Sequence, residues 1–124
     1  MREILFRGKT GFDGDWIYGG ITWNPSRKKV FIHSDFEECK VTPKTVGQYT
    51  GLIDKNGTKI FEGDILSAHL DDGYPENETM LEVVWHNNGW YGKNGKFFDD
   101  FDNGFEKYFE VIGNIHDNPE QKEG

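Results

Sequence analysis

Tyr49-Thr50-Gly51-Leu52-Ile53-Asp54-Lys55-Asn56-Gly57-Thr58-Lys59-Ile60-Phe61-Glu62-Gly63-Asp64-Ile65-Leu66 is the stretch from which the fold is read. Two short extended segments, Leu52-Ile53 and Ile60-Phe61, flank Asp54-Lys55-Asn56-Gly57. That tetrapeptide is a reversal in which Gly57 takes positive φ without a Cβ clash, and Asn56 is the next best residue for that region. Glu62-Gly63-Asp64 bends the chain a second time, and Ile65-Leu66 opens the next strand. Turn formers and apolar pairs make up the stretch; no reactive group is singled out by it.

Working outward toward the N-terminus, Ile4-Leu5-Phe6 and Asp15–Ile21 read as a hairpin joined through the glycine-rich residues 9–14. Alternation puts Trp16, Tyr18 and Gly20 on one face of the second strand and Ile17, Gly19 and Ile21 on the other, with the glycines marking close backbone approach or a bulge. After the Asn24-Pro25-Ser26 turn, Lys29–His33 is a third strand, with Val30 and Ile32 on one side and Phe31 and His33 on the other. Residues 35–39 read as a short helical turn, and 40–44 as extended, because Thr42 precedes Pro43.

Toward the C-terminus, 65–70 is a strand, 71–78 a polar loop, and Met80–His86 the strongest strand in the chain. Asn87-Asn88-Gly89 turns that strand back toward Trp90-Tyr91. Residues 92–104 read as irregular, 107–115 as a final strand, and 116–124 as a polar tail.

Composition agrees with this reading. The 124 residues include sixteen glycines, ten Phe, five Tyr and four Trp, against four prolines. Such a balance describes brief strands and tight turns: a mainly β chain with additional β-hairpins and few or no long helices. Its length fits one domain, 1–124, or two small intertwined lobes of about 1–50 and 51–118. The net charge of −8, from 22 acidic and 14 basic side chains, repels phosphate backbones and disfavours a nucleic-acid partner. Arg27-Lys28-Lys29 is the only basic run and reads as a solvated turn. A single cysteine, Cys39, precludes an intrachain disulfide and points to a reducing compartment. With neither a signal peptide nor a membrane-length apolar run in this sequence, a cytoplasmic protein without a membrane partner is expected.

Val46-Gly47-Gln48-Tyr49-Thr50-Gly51-Leu52, followed by Asp54-Lys55-Asn56-Gly57 and Phe61-Glu62-Gly63-Asp64-Ile65, resembles the central signature of the YopX family of bacteriophage and prophage proteins. The opening residues 1–9 with Trp16-Ile17-Tyr18-Gly19, and Phe109–Ile115 with Asn118-Pro119, resemble the two ends of that family. Residues 22–39 and 71–107 match no motif. The resemblance implies a mostly β fold with a small SH3-like barrel element and a place in the host bacterial cytoplasm. It brings no established activity, cofactor or catalytic residue.

Reading the residues for chemistry yields little. On the calcium-loop template Asp99, Asn103, Gly104 and Glu110 take the first, fifth, sixth and twelfth positions, but Phe101 stands where an oxygen ligand is required, so a solvated turn is the better reading. His33, His69, His86 and His116 lack the spacing of a local zinc site. There is no nucleophile elbow and no phosphate-binding loop. No metal, cofactor or catalytic residue is therefore assigned. Trp85, Trp90 and Tyr91, placed about the Asn88-Gly89 turn, are the candidate binding surface, against the alternative that Trp85 and one of the other two fill a thin core. The expected function is a non-enzymatic phage accessory protein that binds a protein partner or itself as a homo-oligomer through strand edges. A single-stranded nucleic-acid-binding barrel, or an acidic DNA mimic that inhibits a host enzyme, is the alternative.

Overall fold

The computed structural model describes residues 4–11, 14–26, 28–34, 37–70, 73–74, 76–101 and 104–117. The expectations for residues 1–3, for Arg27 of the basic run, for Asp35 and Phe36, for Asp71, Asp72 and Pro75, for Asp102 and Asn103, and for the tail from 118 fall outside them. Two compact units are distinguished, Met1–Tyr49 and Thr50–Gly124. The chain is mainly β, in two antiparallel sheets of six and five strands among the described residues. Helical structure among the described residues is confined to short 3-10 turns, and no helix is long and apolar enough to cross a membrane.

The first unit contains β1 (Phe6–Lys9), β2 (Trp16–Asn24), β3 (Lys29–His33), β4 (Glu38–Val41), a 3-10 turn at Pro43–Thr45 and the start of β5 (Gly47–Ile53). Its core is Val30, Ile32 and Val41, with Phe6, Ile17 and Val46 against it, so the Val30–Ile32 face of the third strand is the buried one. Gly19 is the close approach that the glycines signalled. A Cβ there would lie 1.9 Å from the His33 carbonyl oxygen, whereas one on Gly20 would meet open space. Val41 fits over Gly8 for the same reason, 2.8 Å from where a Cβ would stand. A bridge between Thr10 and Val41, with the Thr42 N–H donating to the Lys9 carbonyl at 2.8 Å, draws the ends of β1 and β4 together. Neither sheet closes into a barrel among the described residues.

Two expectations in this unit are corrected. Cys39, read into a helical turn, lies in β4 opposite Ile32; the Ser34 N–H and hydroxyl both donate to the Glu37 carbonyl and turn the chain into a hairpin instead. Thr42 is extended as its following proline requires, at φ −74°, ψ 119°, but Pro43–Thr45 winds into a 3-10 turn, where a leading proline lacks only an N–H that would be unpaired anyway.

The second unit contains the end of β5, β6 (Lys59–Phe61), β7 (Asp64–Ala68), β8 (Thr79–His86), β9 (Gly89–Asn94), β10 (Phe97–Asp100), a 3-10 turn at Phe105–Tyr108 and β11 (Glu110–Asn114). Ile60, Leu66, Ala68, Leu81, Val83, Phe101 and Phe109 form its core. Residues 92–100, read as part of an irregular stretch, are instead a hairpin. Asn94 pairs with Phe97 around Gly95-Lys96, and Gly95 takes φ 59° in a two-residue hairpin turn. The acidic pair after Phe97-Phe98 hides the alternation that marks a strand. The last strand begins at Glu110 rather than 107, after the 3-10 turn, and pairs with β7 rather than with its predecessor in sequence.

Candidate binding surface

The β8–β9 turn sets the three aromatics. Asn87 and Asn88 both have positive φ, at 48° and 62°, so the loop is the asparagine pair and Gly89 already belongs to the strand opposite His86. Trp85 then faces Trp90, and Val84 faces Tyr91. Because successive side chains leave opposite faces, Trp85 and Trp90 share one side and Tyr91 takes the other. The three residues do not form one platform.

Trp85 and Trp90 meet edge to face at 4.9 Å and 72°. Trp90 packs on the core, its Nε1–H inaccessible and without an acceptor among the described residues, while Trp85 is 53% exposed. On the opposite face Tyr91 joins His86 and Phe98: His86 stacks on Phe98 at 3.9 Å and 11°, with Tyr91 edge-on to both at 5.4 Å and 6.3 Å.

Sequence reading missed a neighbouring feature. Leu70, Leu81, Phe98, Asp99, Asp100, Phe105, Tyr108 and Phe109 line an open depression of about 510 Å3, a volume within the usual range for ligand sites. Its aromatic side is built from ring contacts, Phe101 on Phe105 at 4.7 Å and Phe105 on Phe109 at 5.7 Å. One rim is β10, the edge strand of its sheet, where Phe97 is 75% exposed. The sequence signal was the density of Phe and Tyr between 97 and 109, set among carboxylates.

Other chemistry-bearing groups are dispersed. Among the described residues no three His, Cys, Asp or Glu side chains are placed to hold a metal. His69 Nδ1 lies 3.1 Å from the Asn77 carbonyl. Thr22 Oγ1 is hydrogen-bonded to His33 Nε2, whose Nδ1 is 3.2 Å from Glu38 Oε2, the order of a hydroxyl–imidazole–carboxylate relay. These residues sit on regular paired strands, with Thr22 opposite Phe31. Thr22 lies within β2, and in a strand successive N–H groups point to alternate edges rather than converging on one oxygen as an oxyanion hole requires. The Cys39 thiol is pushed up by desolvation and by the charge and hydrogen bond of Glu37, so it is a weak nucleophile at neutral pH.

A family model described as YopX protein matches residues 5–121, nearly the whole chain. The chain belongs to the YopX family. Among solved structures this YopX protein is similar to the crystal structure of protein EF1440 from Enterococcus faecalis, at 23% identity over 97% of this chain and 98% of that one, with a TM-score of 0.65. That likeness speaks for the fold. No curated protein matches.

In this YopX chain the signature stretch builds structure. Asp54 is buried, and its Oδ1 accepts the N–H groups of Asn56 and Thr58 at 2.8 and 2.9 Å. Its Oδ2 accepts that of Val111 at 2.8 Å, tying the reversal to β11. Buried Asp64 accepts the Phe61 N–H at 2.7 Å across the second bend, where Gly63 has φ 91°, and Gly57 takes φ 84° in the first, as its sequence position requires. Buried Thr50 donates its hydroxyl to the Ile60 carbonyl at 2.8 Å.

Proposed function

We propose that this YopX protein is a non-enzymatic phage or prophage accessory protein that works in the host bacterial cytoplasm by binding a protein partner or a second copy of itself. One observation carries the reading: β10, the last strand of its sheet among the described residues, runs beside an open aromatic depression. An edge strand offers unpaired N–H and C=O groups to an incoming strand, and an adjacent apolar recess gives its side chains somewhere to go. The non-enzymatic part is supported by the mid-strand setting of Thr22, His33 and Glu38 and by the raised Cys39 thiol described above.

The SH3-like barrel element belongs to the same proposal, and the two units are taken as lobes of one family domain. Residues 6–49 support it best: five strands ordered β4-β3-β2-β1-β5, a long β2 shared between two ladders, and a 3-10 turn before the last strand. A single-stranded nucleic-acid reading draws less support, because Trp90 packs on the core and Tyr91 lies on the other face from Trp85. For a DNA mimic, register partners of opposite sign such as Glu82 with Lys93 count against a clustered acidic face.

Light scattering of the purified chain, and of its mixture with proteins from phage-infected cells, tests the proposal. An assembly that forms at micromolar concentration and is lost in Phe97→Lys, which places a charge on the β10 edge, is expected. A wild-type chain that stays a strict monomer without a partner overturns it.

A further inference from the structure

We infer that the depression beside β10 is a receptor for a cationic side chain, a guanidinium or an ammonium, carried by an extended peptide segment that adds to the β10 edge. This deepens the binding-module reading and rests on it.

Four observations converge. First, among the described residues β10 pairs with β9 alone and stands at the end of its sheet, the position at which a strand can be added. Second, Asp99 is exposed and lines the depression, with no hydrogen bond or ion pair among the described residues. Its register partner is Gly92, whose absent Cβ would stand 2.7 Å from Leu81 Cδ1, so Asp99 lies on the side of the sheet that carries Leu81, another lining residue. Third, Phe105, Tyr108 and Phe109 wall the same space. A carboxylate set over aromatic rings selects a cation with an apolar stem: the rings attract the charge through their faces, the recess takes the methylenes, and the carboxylate supplies a charge-assisted hydrogen bond. Fourth, the net charge of −8 brings basic partners toward the chain and turns acidic ones away.

The commitment is to an arginine or lysine on an extended segment, because the end strand of the sheet and the recess adjoin; a free small cation would use the recess alone. The probe is a short peptide alternating Thr and Val about a central Arg, titrated into the isotope-labelled full chain and followed by NMR. Comparison peptides carry citrulline or Glu in place of Arg, and arginine amide alone serves as the small-cation arm.

The Arg peptide is expected to shift the amides of 97–100 and 105–109. Citrulline should weaken it by about tenfold, through loss of the charge-assisted and cation–π contributions. Asp99→Asn should weaken the Arg peptide similarly, at unchanged melting temperature, without affecting the citrulline peptide. Tyr108→Phe should bind as wild type and Tyr108→Leu more weakly. Equal binding of the Arg and citrulline peptides overturns the inference, as do shifts confined to other residues, binding of arginine amide as tight as that of the peptide, or no binding at all. Assembly that is lost in Phe97→Lys but unaltered in Asp99→Asn would retain the binding-module reading while removing the cationic site, so the two fail separately.

Discussion

At the scale of single residues, the buried Asp54 carboxylate does what the family signature needs. It gathers three backbone N–H groups from both sides of a reversal and from a strand more than fifty residues away. Asp54→Ala should cost about 3 kcal/mol, since it leaves those donors unsatisfied, and Asp54→Asn about half as much because one acceptor oxygen survives; urea denaturation of the three chains measures both. An unchanged midpoint for the alanine variant would contradict the geometry. Cys39 allows a chemical check. Its thiol is raised by desolvation and by Glu37, so iodoacetamide should alkylate it more slowly at neutral pH than an unperturbed cysteine, and Glu37→Gln should speed the reaction by removing the charge. Rates are read by mass spectrometry, and equal rates in the two chains would show that Glu37 has no hold on the thiol.

At the scale of elements, β2 places two adjacent glycines in opposite circumstances. Gly19 lets the His33 carbonyl pass through the space a Cβ would fill, and Gly20 faces nothing. Gly19→Ala should therefore disrupt the β2–β3 pairing and cost about 3 kcal/mol or more, as overpacking against rigid backbone does. Gly20→Ala, in an extended strand with open space, should be neutral or slightly stabilising by up to about 1 kcal/mol. Thermal unfolding of the pair distinguishes them, and equal losses would refute the close approach. Adjacent Gly19-Gly20 was readable as a backbone-approach signal, yet which of the two bears the clash was not. That depends on the neighbouring strand's carbonyl, and hence on register. The β9–β10 hairpin escaped for a local reason: Phe97-Phe98-Asp99-Asp100 has no apolar–polar alternation, because the pattern of an edge strand is not imposed by two buried faces.

At the scale of the whole molecule, a net charge of −8 makes association with a basic segment dependent on ionic strength. Affinity for the Arg peptide should fall about threefold between roughly 0.01 M and 0.15 M salt, as exposed charges are screened over a Debye length, while the citrulline peptide should be indifferent; fluorescence anisotropy across a salt series reads both, and an affinity for the Arg peptide flat in salt would leave only apolar burial to account for binding. The sequence by itself determined the mainly β class, the turns at Asp54–Gly57 and Glu62–Asp64, the division of the second and third strands into two faces and the family, because each is encoded in neighbours: a glycine where φ must be positive, a period of two along a strand. Only the tertiary structure decided that β11 lies beside β7, that Tyr91 parts from Trp85 and Trp90, and that Asp99 shares a recess with Phe105 and Tyr108. Those relations join residues whose separation along the chain carries no information about their separation in space. They are set by strand pairing and core packing, in which many weak contacts choose one register together.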